Sequence, residues 1–410
     1  LPLAADHWAL MREGMEAGTH GAEPTNWESF FSGSAWQLDE TTGEYYLHLF
    51  SRKQPDLNWE NPEVREAVYT MMRWWLDRGI DGFRMDVINM ISKDTSLPDG
   101  PITHGGLYGD GSPHFLCGPR IHEFMQEMHR EVFDGRREKL LTVGEMPGVT
   151  VDEAVLFTDP ERHELDMVFQ FEHVGLDHGS HKWDRVPLDL RDLKASMARW
   201  QAGLAERGWN SLYWNNHDQP RAVSRFATDE PKYRVAAAKL LGTVLHLHRG
   251  TPYVYQGEEI GMTNVPFADE NAFLDIESVN YYEAAMAAGL DSDTVLGALR
   301  VGSRDNARSP MQWDGSSHAG FTKGTPWAPV NPNYPEINAA AAVADDDSVF
   351  HHYRRLIELR HTEPAVADGD FTMLAPDHPT LYAYTRSHAG TDLLVVANFS
   401  AEELALEIGR

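Results

Sequence analysis

Apolar residues recur every three or four positions at Val64, Val68, Met71, Met72, Trp75 and Leu76, the spacing of one helix face. Asn61 can cap this helix, with Pro62 at its first position, and the helix is expected to stop at Arg78 and Gly79. The stretch DGFRMDV (81–87) then reads as a short strand. The same unit repeats. A helix near 120–134 precedes the strand LLTVGE (140–145), and MVFQF (167–171) follows closely. A helix at 189–207 precedes SLYWNN (211–216), and another at 231–249, closed by Gly250 and Pro252, precedes YVYQ (253–256). Alternation of helices and strands without a nucleotide-binding glycine fingerprint predicts parallel βα units closed into a barrel.

The flanks have a different texture. Residues 1–57 are rich in Trp, Gly, Glu and Thr, and with the run YYLHLF (45–50) they predict an irregular lobe containing a small sheet. A helical and loop insertion is expected at 262–301 and a last helix at 345–361. TLYAYT (380–385) and DLLVVANF (392–399) predict antiparallel strands of a small β domain. The expected division is a lobe at 1–57, a catalytic barrel at 58–366 and a β domain at 367–410. Leu1 in place of Met, a chain stopping at EIGR (407–410) and fewer than eight strands lead us to expect a piece of a longer chain.

Composition narrows the function. The 410 residues carry 35 Lys and Arg against 63 Asp and Glu, a net charge of −28, so nucleic acid and anionic membrane surfaces are disfavoured as partners. Cys117 is the one cysteine, which excludes an internal disulfide and fits a cytoplasmic setting. No run approaches the ~20 apolar residues of a spanning helix.

Candidate chemistry lies at the carboxyl ends of the predicted strands, where a βα barrel gathers polar side chains. Those ends carry Asp86, Glu145 and the pair His217 and Asp218. Any one motif alone is an ordinary ion pair or capping turn; three acids at successive strand ends suit a reaction with a cationic transition state. In retaining glycoside hydrolysis one carboxylate attacks and one carboxylic acid protonates the leaving oxygen. Asp86 would be the nucleophile, with Arg84 on the same strand face holding it ionised. Glu145, behind apolar Leu141 and Val143, would be the acid, and Asp218 would stabilise the developing charge. The histidines of HLH (246–248) are expected to diverge and carry no metal. NFS (398–400) matches a glycosylation pattern yet is expected to be strand core.

QPDLNW (54–59), GFRMDV (82–87), GEMPG (144–148) and NNHDQPR (215–221) resemble four successive motifs of the α-amylase superfamily, glycoside hydrolase family 13. YQGEEIGM (255–262) and RDNARSPMQW (304–313) resemble further signatures of its oligo-1,6-glucosidase and α-glucosidase group. The resemblance implies a (β/α)8 barrel, here lacking about three βα units, with an inserted lobe and a C-terminal antiparallel β domain. It implies Asp86 as nucleophile, Glu145 as acid/base, Asp218 as transition-state stabiliser, and Arg84, His217 and Arg308 as glucose-binding groups. Val87 resembles the version found in relatives that prefer α-1,6 links, and its stiff side chain would narrow the leaving-group side. The expected ligand is a small oligosaccharide. No cofactor is expected, and the calcium loop of some relatives would lie upstream of residue 1. An isolated fragment is expected to be weakly stable and poorly active. Trehalose-6-phosphate hydrolysis, sucrose isomerisation, an inactive binding relative and a metal-dependent barrel hydrolase are the alternatives.

Overall fold

The computed structural model describes residues 9–10, 21–102, 107–136 and 139–405, so the readings made on Leu1 and on 407–410 lie outside the described residues. The chain divides into two compact units, Leu1–Phe171 and Glu172–Arg410.

In the first unit β1 (Ala9–Leu10), β2 (Trp36–Asp39) and β3 (Glu44–Leu47) form an antiparallel sheet in the order β1-β3-β2. Trp27, Trp36, Tyr45, Leu47, Leu49, Met90 and Phe115 make the buried core of this lobe, whose aromatic runs supply the apolar area that so small a sheet needs. Helix α1 (Pro62–Leu76) starts as its sequence dictates: the Asn61 side chain accepts the Glu63 N–H. Its buried face is Val64, Arg65, Tyr69, Met72 and Leu76, whereas Met71 and Trp75, expected inside, are exposed. Positions 65, 69, 72 and 76 are spaced four, three and four apart, one narrow stripe, and 71 and 75 fall beside it.

Three parallel strands follow, β4 (Gly82–Met85), β5 (Leu141–Glu145) and β6 (Met167–Phe169), ordered β4-β5-β6. Gly82 sits at φ +151°, and a Cβ there would lie 1.8 Å from the Leu141 carbonyl oxygen, so this strand start admits only glycine. Between β4 and β5 the expected helix at 120–134 is α2 (Ile121–Met128) followed by a π turn over 129–133. Helix α3 (Val151–Thr158), opened by a Thr150/Glu153 capping box, connects β5 to β6.

In the second unit α4 (Leu190–Gly203) leads to β7 (Ser211–Leu212), and α5 (Arg234–His246) to β8 (Thr251–Pro252), which pairs in parallel with β7. The strands expected at 211–216 and 253–256 are therefore shorter or shifted. Tyr253 donates the last pairing hydrogen bond, to Leu212, and the chain then turns at Gly257, φ +92°. The insertion holds α6 (Ile276–Ala287) and α7 (Ser292–Gly302); α8 (Val349–Thr362) packs against α5. The C-terminal sheet has three antiparallel strands, β9 (Asp370–Leu374), β10 (Leu381–His388) and β11 (Thr391–Asn398), ordered β11-β10-β9.

The carbonyls at the end of α5 have partners from elsewhere in this unit. Tyr384 donates to Val244 O at 2.8 Å, Arg360 to His246 O at 2.5 Å and His248 O at 2.9 Å, and buried Arg386 to Leu247 O at 2.9 Å. Two cations at a helix C-terminus also meet its negative dipole end. His246 and His248 are core residues with Nδ1 near the Gly242 and Val244 carbonyls, at 2.9 and 2.6 Å. Asn398 is half-buried rather than core, donating to Glu402 O in the turn after β11 at 2.6 Å. Among the described residues no helix is long and apolar enough to cross a membrane.

Glu258 is buried, with Tyr353 of α8 donating to its Oε1 at 2.8 Å, and burial pushes its carboxyl up to about 8. The folded state therefore keeps a proton that the unfolded chain releases near the ordinary carboxylate value, so this contribution to stability falls as pH rises towards 8. The melting temperature of the native protein is expected to drop relative to that of Glu258→Gln between about pH 5 and about pH 9; parallel curves would refute the assignment.

Candidate active site

The first unit brings four of the expected residues together. Arg84 is in β4, Asp86 one residue past its end, and Glu145 ends the neighbouring parallel strand β5. One guanidinium serves both acids: Nη1 of Arg84 pairs with Asp86, and Nη2 with Glu145 Oε1 at 2.8 Å. The remaining Glu145 oxygen, Oε2, accepts the Val87 N–H at 3.3 Å. The two carboxyl groups are thus direct neighbours in sharply different surroundings. The Asp86 side chain is 67% exposed and that of Glu145 6%.

Burial, then the hydrogen bond with Asp86, push the Glu145 carboxyl up to about 7 against the opposing pull of Arg84. Such a carboxyl is protonated in about half of the molecules at neutral pH and can give that proton away. The sequence pattern anticipated burial as the cause; it did not show that Arg84 reaches both acids.

Val87 holds the left-handed conformation, φ 38° and ψ 39°, which a β-branched residue adopts only under strain of ~1–3 kcal/mol. That turn points its N–H at Glu145, and its side chain packs on the lobe core.

The second unit brings together the rest. His217 and Asp218 lie in the turn beyond β7, where Asp218 N–H is held by Asn216 Oδ1 at 2.8 Å and the preceding Tyr213 and Trp214 are buried. Arg308 donates from Nη2 to Asp218 Oδ1 at 2.6 Å and from Nε to the His217 carbonyl at 3.1 Å; His217 Nε2 is 3.3 Å from Asp218 Oδ2. Two further residues join this cluster. Arg304 Nη1 is 3.3 Å from Asp218 Oδ1, and Asp275 binds both arginines, at 2.9 Å to Arg304 and 2.5 Å to Arg308. Arg304 stood inside the quoted 304–313 motif without a role. Asp275 fell in the insertion, where a lone Asp before an apolar helix signals only a cap.

The match to the family described as "Alpha amylase, catalytic domain" covers residues 4–369, and the chain belongs to this family of glycoside hydrolases. Its strands are accordingly those of a (β/α)8-barrel protein with a C-terminal antiparallel β domain. Within the family it is 58% identical to the oligo-1,6-glucosidase of Halalkalibacterium halodurans over 383 residues, 93% of this chain and 68% of that one. Among solved structures it is similar to Bacillus licheniformis trehalose-6-phosphate hydrolase, with 46% identity, a TM-score of 0.89, and 96% and 70% of the two chains covered. It is likewise similar to the isomaltulose synthase of Erwinia rhapontici, with 40% identity, a TM-score of 0.91, and coverage of 98% and 70%.

Proposed function

We propose that the protein is a retaining, exo-acting α-glucosidase that releases glucose from α-1,6-linked, isomaltose-type oligosaccharides and also accepts α-1,4 links. The observation that carries this reading is the pairing of a buried, proton-holding Glu145 with an exposed Asp86 on one arginine. The similarity to oligo-1,6-glucosidases supports the linkage. Asp86 attacks the anomeric carbon while Glu145 passes its proton to the glycosidic oxygen, and the leaving sugar departs. Glu145, now a carboxylate, takes a proton from water, which attacks the glucosyl ester on Asp86 and restores both groups. Asp218 stabilises the positive charge that develops on the sugar, and Arg84, His217 and Arg308 bind the glucose. A cytoplasmic setting is part of this reading, supported by the single cysteine.

Incubation with isomaltose, maltose, sucrose and trehalose 6-phosphate tests this reading. Isomaltose is expected to be the best substrate, with α-glucose the first product seen by NMR; release of β-glucose first, or no cleavage, would overturn it.

Trehalose-6-phosphate hydrolysis is the second reading, favoured by the likeness to the B. licheniformis enzyme. Val87→Ala is expected to lower the preference for isomaltose over maltose by about 10-fold. Equal losses on both sugars would free Val87 of any role in linkage choice.

A further inference from the structure

Asp275 closes helix α6 at its N-terminus, accepting the Glu277 N–H at 2.9 Å, and its side chain is 2% exposed. A helix cap needs one oxygen and no charge, yet this carboxylate is also gripped by two guanidinium groups. Its Oδ1 takes Arg304 Nε and Nη2, both at 2.9 Å, and its Oδ2 takes Arg308 Nη1 at 2.5 Å.

Every nitrogen of Arg308 is thereby fixed: Nε on the His217 carbonyl, Nη1 on Asp275, Nη2 on Asp218. Arg304 is likewise stretched between Asp275 and Asp218. Two cations face two carboxylates. Remove the charge of Asp275, and each guanidinium loses its shorter carboxylate contact of the two, while Asp218 keeps its own pull on both.

We infer that Asp275 is a positioning residue for the glucose-binding cluster: it holds Arg308 back by Nη1 and Arg304 by Nε and Nη2, so that they orient Asp218 without swinging onto it. The inference rests on the proposed glucosidase function for its effect on turnover, and on geometry alone for its effect on Arg308.

Asp275→Asn separates this role from capping, because asparagine caps a helix as well as aspartate and keeps the shape. In isomaltose hydrolysis we expect kcat/KM to fall about 10²-fold, the scale of a misplaced site group. A lower Tm with unchanged kcat/KM would make the role purely structural and overturn the inference. Since Asp275 acts through Arg308 and Arg304, Asp275→Asn added to the pair Arg304→Ala and Arg308→Ala should lower kcat/KM no further, to within about threefold; losses that multiply would also overturn it. If the unaltered protein cleaves no α-glucoside, the proposed function fails and the crystal structure of Asp275→Asn decides this point. The Arg308 guanidinium is expected to turn further onto Asp218, with Nη1 leaving residue 275, and an unmoved guanidinium would sink the inference.

Discussion

Asp86→Asn is expected to lower isomaltose hydrolysis by on the order of 10⁴-fold, because an amide cannot form the glucosyl ester on which the two-step route depends. Its fold should survive. The Asp86 side chain is 67% exposed and its ion-pair partner Arg84 keeps Glu145, so little buried polar surface is orphaned. Adding azide to Asp86→Ala should restore turnover and give glucosyl azide of β configuration, because a small anion then enters from the vacated face. Hydrolysis by Asp86→Asn within about tenfold of the unaltered protein would end the assignment.

Glu145→Gln is expected to lose about 10²–10⁴-fold on isomaltose, whose leaving sugar needs a proton, and far less on aryl glucosides with acidic phenols, which depart as anions. The pH profile gives a second reading of the same group. With its carboxyl pushed up to about 7, the protonated form disappears as pH rises through that value, so the alkaline limb of kcat should fall near neutrality. In Glu145→Gln that limb should vanish. It should also lie at lower pH in any residual activity of Asp86→Asn, because the hydrogen bond and charge of Asp86 both raise the Glu145 carboxyl. A limb indifferent to both substitutions would place the proton elsewhere.

Much of this site was legible in the chain before any coordinates. Arg84 and Asp86, charged and two apart on one strand face, read as partners from their spacing, although the structure leaves both exposed rather than buried. Glu145 behind Leu141 and Val143 announced its own burial. Other features left no trace in the pattern. The left-handed turn at Val87 contradicts the propensity of a β-branched residue, so only the surrounding packing reveals it. Asp275 and Arg304 are joined by folding alone, since nothing in a 29-residue separation tells which cap will meet which guanidinium. Strand β9 escaped notice because DFTML is mostly half-exposed and scarcely alternates, and β8 because proline discourages a strand reading at 252.

The C-terminal sheet of the second unit is more than an appendage, given what its side chains do for α5. Tyr384 and Arg386 on β10 donate to the Val244 and Leu247 carbonyls at the end of this helix, so peeling the sheet away would leave Val244 O with His248 Nδ1 and take the Arg386 donor from Leu247 O. Backbone amides near residues 244–248 and those of β10 should therefore exchange with deuterium in one cooperative opening. Shortening the chain to before Tyr384 would loosen a helix more than a hundred residues upstream.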